Sequence, residues 1–250
     1  MNDSLGSRMK ERYEDRAQTY IPRRTWSVIR LDGRAFHTYA RNCVRPYDLK
    51  LMQDMDDLAV FLCKEIQGAR FAYVQSDEIS ILVADMDKTS TEMWFNGNVQ
   101  KICSISASMA TGYFNSIRYG KVSNELAFFD SRIFAMPDPV EVANYFVWRQ
   151  KDAERNSLQM LARSYYSHNE LNAKGTEALH DLIHNKSDNW SKYPSRCKRG
   201  GFIKYNTREE MKVVGNKPLL CTTGAWESVE VPVFASEPSF LKNLIPTHGY

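Results

Sequence analysis

Along the first 136 residues, strand-type and helix-type patterns follow one order: strand, helix, strand, strand, helix, strand. Residues 25–31 are apolar and β-branched and close on Asp32-Gly33. Asp48 then opens a helix in which Met52, Met55, Ala59, Leu62 and Ile66 recur every three or four residues, and Gly68 ends it. Residues 71–74 and 79–83 read as a hairpin around Ser76-Asp77-Glu78. A second helical pattern covers about 91–117, with Trp94, Ile102, Ile105 and Met109 as core positions, and a fourth strand covers about 126–136. This order is that of an α+β, ferredoxin-like βαββαβ palm: an antiparallel sheet with both helices on one face.

In that topology the first and third strands are central, antiparallel neighbours. Asp32 ends the first and Asp77 lies in the turn entering the third, so both carboxylates fall at one sheet edge. Magnesium takes one or two carboxylates and leaves its remaining positions to water and substrate phosphates, so the pair implies metal-dependent phosphoryl transfer. Taken singly, Asp-Gly is a common turn and Ser-Asp-Glu a common hairpin tip; their joint placement carries the inference. Gly33 is expected to turn the backbone sharply, directing its carbonyl to a metal and the amides of Arg34, Ala35, Phe36 and His37 along phosphates. His37 either meets a phosphate or hydrogen-bonds within the fold. Asp48 is at least a helix cap. Lys101 reads as a surface lysine, whereas Arg132, in a strand beside Asp130, fits a phosphate ligand. Tyr145, Phe146 and Trp148 are expected in a helix core, and Asp85 and Asp87 in solvent.

After residue 136 the texture changes. Asp138, Pro139 and Glu141 form a helix start, helical pattern runs to about 166 and again over 169–183, and short strands are expected near 202–205, 212–214 and 229–234. The division is thus residues 1–136, a palm-like catalytic domain, and 137–250, an appended, mostly helical region. A net charge of +3 is too small to indicate a nucleic-acid binder, but basic residues cluster at Arg8–Arg16, at Arg23 and Arg24, and at Arg196, Lys198 and Arg199. Five scattered cysteines without CxxC spacing suggest neither zinc nor a disulfide framework. With no apolar leader and no run long enough to span a bilayer, the expected location is cytoplasmic, with no membrane partner.

Together, RLDGRAFH (30–37), RPYD (45–48), QSDE (75–78), Trp94-Phe95 followed by Lys101, FDSR (129–132), WRQKD (148–152), KGT (174–176) and KRG (198–200) resemble the tRNA-histidine guanylyltransferase family, including its bacterial guanylyltransferase-like branch, which polymerises in the 3′-to-5′ direction. The resemblance implies two magnesium ions held by Asp32, the Gly33 carbonyl and Asp77, with Glu78 supporting or joining them as a third catalytic acid. It implies that residues Gly33 to His37 line a nucleoside triphosphate with Ser76 beside it. Val44, Arg45 and Asp48 would lie near the base of the activating nucleotide, and Arg30, Lys101 and Arg132 would contact triphosphates and the tRNA end. It further implies ATP and GTP as substrates, tRNA as partner and a homotetramer. Eukaryotic members carry HINNLYN after WRQ; here residues 154–160 read ERNSLQM. That departure favours template-directed repair of 5′-truncated tRNA over untemplated guanylate addition. A palm-type nucleotidyl cyclase, or a non-catalytic tRNA-binding protein with structural acids, are the other readings of the same acids.

Overall fold

In the computed structural model, which describes residues 4–214 and 217–247, the strands β1 (Trp26–Gly33), β2 (Ala69–Gln75), β3 (Glu78–Val83), β4 (Phe129–Met136), β5 (Gly201–Val214) and β6 (Lys217–Val229) form one sheet in the order β4-β1-β3-β2-β5-β6. All pairings are antiparallel. The expected palm is therefore present, with β1 and β3 adjacent and Asp32 opposite Glu78.

Alternation along each strand sends one set of side chains to each face. Ile29, Leu31, Val74, Ile79 and Ile81 meet helices α3 (Leu49–Glu65) and α4 (Val99–Arg118) on one face. Val28, Phe71, Tyr73 and Leu82 meet α5 (Pro139–Arg163) and the C-terminal segment on the other. The region after residue 136 is accordingly not an appendage: α5 covers a whole face of the palm, and β5 extends the sheet by pairing with β2. The strand patterns near 202–205 and 212–214 belong to one long strand, and residues 231–234 lie outside the sheet.

The smaller helices are α1 (Leu5–Met9), α2 (Phe36–Tyr39), α6 (His168–Leu171), α7 (Thr176–His184), α8 (Ser195–Arg199) and α9 (Pro238–Lys242). The lead-in, α1 continued by π and 3-10 turns to Ala17, buries no residue. Helix α4 starts at Val99 rather than near 91. Phe95, Asn96 and Gly97 all adopt positive φ, and Asn98 caps the helix by accepting from the Lys101 amide at 3.0 Å. Trp94 and Ile102 are buried as expected, but Ile105 is exposed.

Two other expectations on burial reverse. Asp85 is fully buried and accepts a hydrogen bond from the Arg24 amide, while exposed Asp87 pairs with Arg70. Trp148 is 53% exposed. The basic cluster at 196–199 is turned inward: Arg196 grips the buried Asp56 with two hydrogen bonds, and Arg199 pairs with Glu154.

Candidate active site

Asp32 sits at the end of β1, and among the described residues its one ion-pair partner is Arg30, at 3.4 Å. Asp77 follows Ser76, whose φ of 48° makes the tight β2–β3 turn. Burial pushes the Asp77 carboxyl up to about 6; the Ser76 hydroxyl and its own amide pull it down, and the charges of Asp32 and Glu78 raise it further. Element order thus brings two acids together, as expected.

Glu78 has a different environment. Its side chain is nearly sealed from solvent, and Arg149 of α5 grips both oxygens, at 2.8 and 2.7 Å. Arg30 adds a contact at 2.6 Å, and Ser80 and Gln75 donate from the sheet. A carboxylate so neutralised is suited to fixing the turn beside Asp77 rather than to receiving a cation. Sequence reasoning assigned Arg149 no role. The available signal was an arginine on the helix stripe formed by Val142, Tyr145, Phe146 and Ala153, all of them buried.

Gly33 does not turn the chain by a left-handed conformation; that is adopted by Ala35, at φ 52° and ψ 36°, which precedes α2. A Cβ on Gly33 would overlap the Phe36 ring, so glycine is required there for space. Phe36 is itself core, against Tyr39, Phe114 and Phe129. The Arg34 amide donates to the Phe128 carbonyl at 2.8 Å and is not available to a phosphate. The amides of Phe36 and His37, in the first turn of α2, have no intrahelical acceptor.

A cavity of about 570 Å³ opens beside the acids, walled by Asp32, Ser76, Asp77 and Glu78 from the sheet edge. Its other walls include Arg30, Phe36, His37, Val44, Arg45 and Asp48, facing Arg149, Asp152 and Asn156 of α5. Its size is that of a small-molecule site. Asp48 caps α3 by accepting from the Leu51 amide at 2.8 Å and also holds the Val44 amide at 3.0 Å. Burial raises its carboxyl, but these amides outweigh that, and the net shift is downward.

Gly33, Arg34 and Ala35 are not among the cavity walls, and neither are Arg132 and Lys101. Arg132 is exposed on the outer strand β4, opposite Arg30, and bonds Asp130 at 2.9 Å. Lys101 lies three residues into α4, whose far end carries Arg118, bonded to Tyr39 of α2. The helix rise separates the two by about 25 Å, and Lys101 is not among the residues that wall the cavity.

The donor set fits a hard dication. Asp32 and Asp77 share one edge; Arg30 lies closer to Glu78 (2.6 Å) than to Asp32 (3.4 Å), and among the described residues Asp77 has no ion-pair partner. Two carboxylates, completed by water and phosphate, are a magnesium-type provision.

A ferredoxin-like palm with paired carboxylates over a nucleotide-sized cavity defines the class of palm-type nucleotidyltransferases. A family model described as tRNAHis guanylyltransferase matches residues 6–137. The chain belongs to the tRNAHis guanylyltransferase family. An uncharacterized protein of Acanthamoeba polyphaga mimivirus is 31% identical over 229 residues, 82% of this chain and 78% of that one. The probable tRNA(His) guanylyltransferase of Homo sapiens is 32% identical over 139 residues, 53% of this chain and 45% of the human protein, so this match spans less than half of the human relative. Among solved structures, a bacterial tRNA(His) guanylyltransferase-like protein in complex with ATP superposes with a TM-score of 0.85 at 36% identity, covering 97% of this chain and 99% of that one. A bacterial guanylyltransferase-like protein in complex with GTP gives 0.77 at 35% identity, with the same coverage. The protein is a nucleotidyltransferase enzyme.

Proposed function

We propose that this enzyme adds nucleotides to the 5′ end of tRNA in the 3′-to-5′ direction, by template-directed repair of 5′-truncated tRNA. The observation that carries the reading is the convergence of Asp32 and Asp77 on one edge of a nucleotide-sized cavity. Asp32, the Gly33 carbonyl and Asp77 would hold two magnesium ions, which when bound supply charge neutralisation at the reacting phosphoryl group and the leaving pyrophosphate. Glu78, clamped by Arg149 and Arg30, holds the turn that presents Asp77. His37, Val44, Arg45, Asp48 and Ser76 line the nucleotide's side of the cavity, and the free amides of α2 face its phosphates. Arg132 receives the triphosphate or the RNA end. ATP would activate a 5′-monophosphate end; GTP, or the templated nucleotide, would then be joined to it.

The catalytic acids come from residues 1–136, while 137–250 supplies Arg149 and carries the tRNA and subunit contacts of a homotetramer. A cytoplasmic setting belongs to the same proposal; among the described residues no helix is long and apolar enough to cross a membrane.

The test offers labelled tRNA, full-length or lacking its first nucleotide, with each triphosphate in turn. Growth restricted to the base complementary to the opposite strand supports templating, and guanylate addition regardless of partner overturns it. Asp32→Asn and Asp77→Asn are each expected to lower nucleotide addition about a hundred-fold or more, the scale of a lost electrostatic group at a transition state, while tRNA binding survives. Unchanged addition in both variants would remove the acids from the mechanism.

A further inference from the structure

Joining a nucleotide to an RNA end needs two substrates at one edge, and the cavity accounts for one. Helix α5 crosses the sheet face that carries Asp32 and Glu78: its Arg149, Asp152 and Asn156 line the cavity, and Trp148, packed on Arg149 and one turn before Asp152, stands just outside those walls. The Tyr145 ring lies 5.5 Å from Phe134 of β4, and Trp148, one turn further on, meets Tyr145 edge-on at 5.8 Å. Two residues from Phe134 on the same face of β4, toward the acids, is Arg132, more than half exposed and within the field of Asp32 and Glu78.

Trp148 is more than half exposed, and its ring has two fixed neighbours, Tyr145 and Arg149. The guanidinium of Arg149 lies 4.4 Å from the centre of its ring, and that guanidinium is itself locked in the buried pair with Glu78. An indole fixed on a helix by a group that also grips the acidic edge is pre-positioned, so ordering it on binding costs little. An exposed aromatic ring, linked through Tyr145 and Phe134 to the strand that carries an exposed arginine, is the combination that single-stranded nucleic acid uses, bases stacking on the ring while cations meet the backbone.

We propose that Trp148 is a stacking platform for the terminal base of the RNA substrate, on α5 just outside the rim of the nucleotide cavity. The inference rests on the RNA-end reading above and adds the residue that docks the RNA. It is tested with the full chain and a tRNA lacking its first nucleotide, measuring RNA dissociation constants directly and nucleotide addition separately. Trp148→Ala and Trp148→Leu should weaken RNA binding about 5- to 150-fold, the range of one base–aromatic stack. Trp148→Phe should restore it to within about three-fold, since it keeps a π face, and KM for the triphosphate should not move.

RNA affinity unchanged in Trp148→Ala overturns the proposal. So does Trp148→Leu matching Trp148→Phe, which would make the contact merely apolar, or an effect confined to the triphosphate, which would assign the base to the free nucleotide. A change of oligomeric mass in Trp148→Ala would make it a subunit contact and equally overturn it. Trp148-dependent RNA binding without addition by the unsubstituted protein would instead defeat the polymerase reading and leave the platform standing.

Discussion

Arg149 and Trp148 are sequence neighbours whose positions invert the ordinary rule that tryptophan goes inside and arginine outside. The cause is Glu78. A buried carboxylate is costly unless paired and hydrogen-bonded, and the guanidinium fork satisfies both oxygens at once. Burying Arg149 fixes the phase of α5 at that turn and turns the indole out. Replacing Arg149 by Met removes one partner from a sealed ion pair, which costs about 3–5 kcal/mol when nothing compensates. Arg30 still reaches Glu78 at 2.6 Å, so the lower part of that range is expected in urea unfolding. Adding Glu78→Gln to Arg149→Met should recover part of the loss, because the stranded charge disappears with it. A single variant as stable as the parent protein would show that the pair contributes nothing net to stability.

At the scale of elements, the palm was legible because hydrophobic period and turn residues agree, and element order alone makes β1 and β3 neighbours. That is why element order alone places Asp32 and Asp77 at a shared edge. What escaped depends on contacts between distant elements. Gly33 reads locally as a turn glycine, but it is the Phe36 ring folding back that excludes a Cβ. Lys101 has the spacing from Trp94-Phe95 that the resemblance asks for, but it stands in the first turn of a 20-residue helix and outside the cavity walls. The long β5–β6 hairpin was broken into short strands because its pairing is with itself and β2, which no local pattern encodes. The start of α3, in contrast, was read from one residue. Asp48→Ala should destabilise the protein by about 1 kcal/mol at neutral pH, an ordinary cap loss, while Asp48→Asn should lose little. The folded carboxyl titrates below its unfolded value, so its contribution is present above about pH 4 and lost as pH falls through the lower, folded value. The gap in thermal midpoint between the parent protein and Asp48→Ala should therefore narrow in acid by the charge-dependent part of the cap; a gap independent of pH would mean that the side chain's charge has no part in it.

At the scale of the whole molecule, the sheet has two buried faces, and only one of them is covered by residues that precede 136. Cutting there would leave α3 and α4 in place but strip α5 from Val28, Phe71, Tyr73 and Leu82, all essentially inaccessible in the full chain. It would also unpair the β2 edge that β5 occupies, leaving open backbone donors and acceptors beside an apolar face. Fully burying a side chain of this kind is worth about 1.5–3 kcal/mol, so exposing four together removes an amount comparable to the whole stability of a typical domain, about 5–15 kcal/mol. The fragment 1–136 carries every acid of the proposed metal site and nearly all of the family match, yet it is expected to be aggregated or unfolded when expressed alone. Circular dichroism and denaturant titration of that fragment decide the matter. A cooperative transition and a native far-ultraviolet spectrum would establish the palm as a self-sufficient unit and reduce the second layer to a carrier of Arg149 and the RNA-facing flank. Failure to fold would mean that the acids can be presented only when α5 closes the face behind them, which couples assembly of the catalytic edge to completion of the chain.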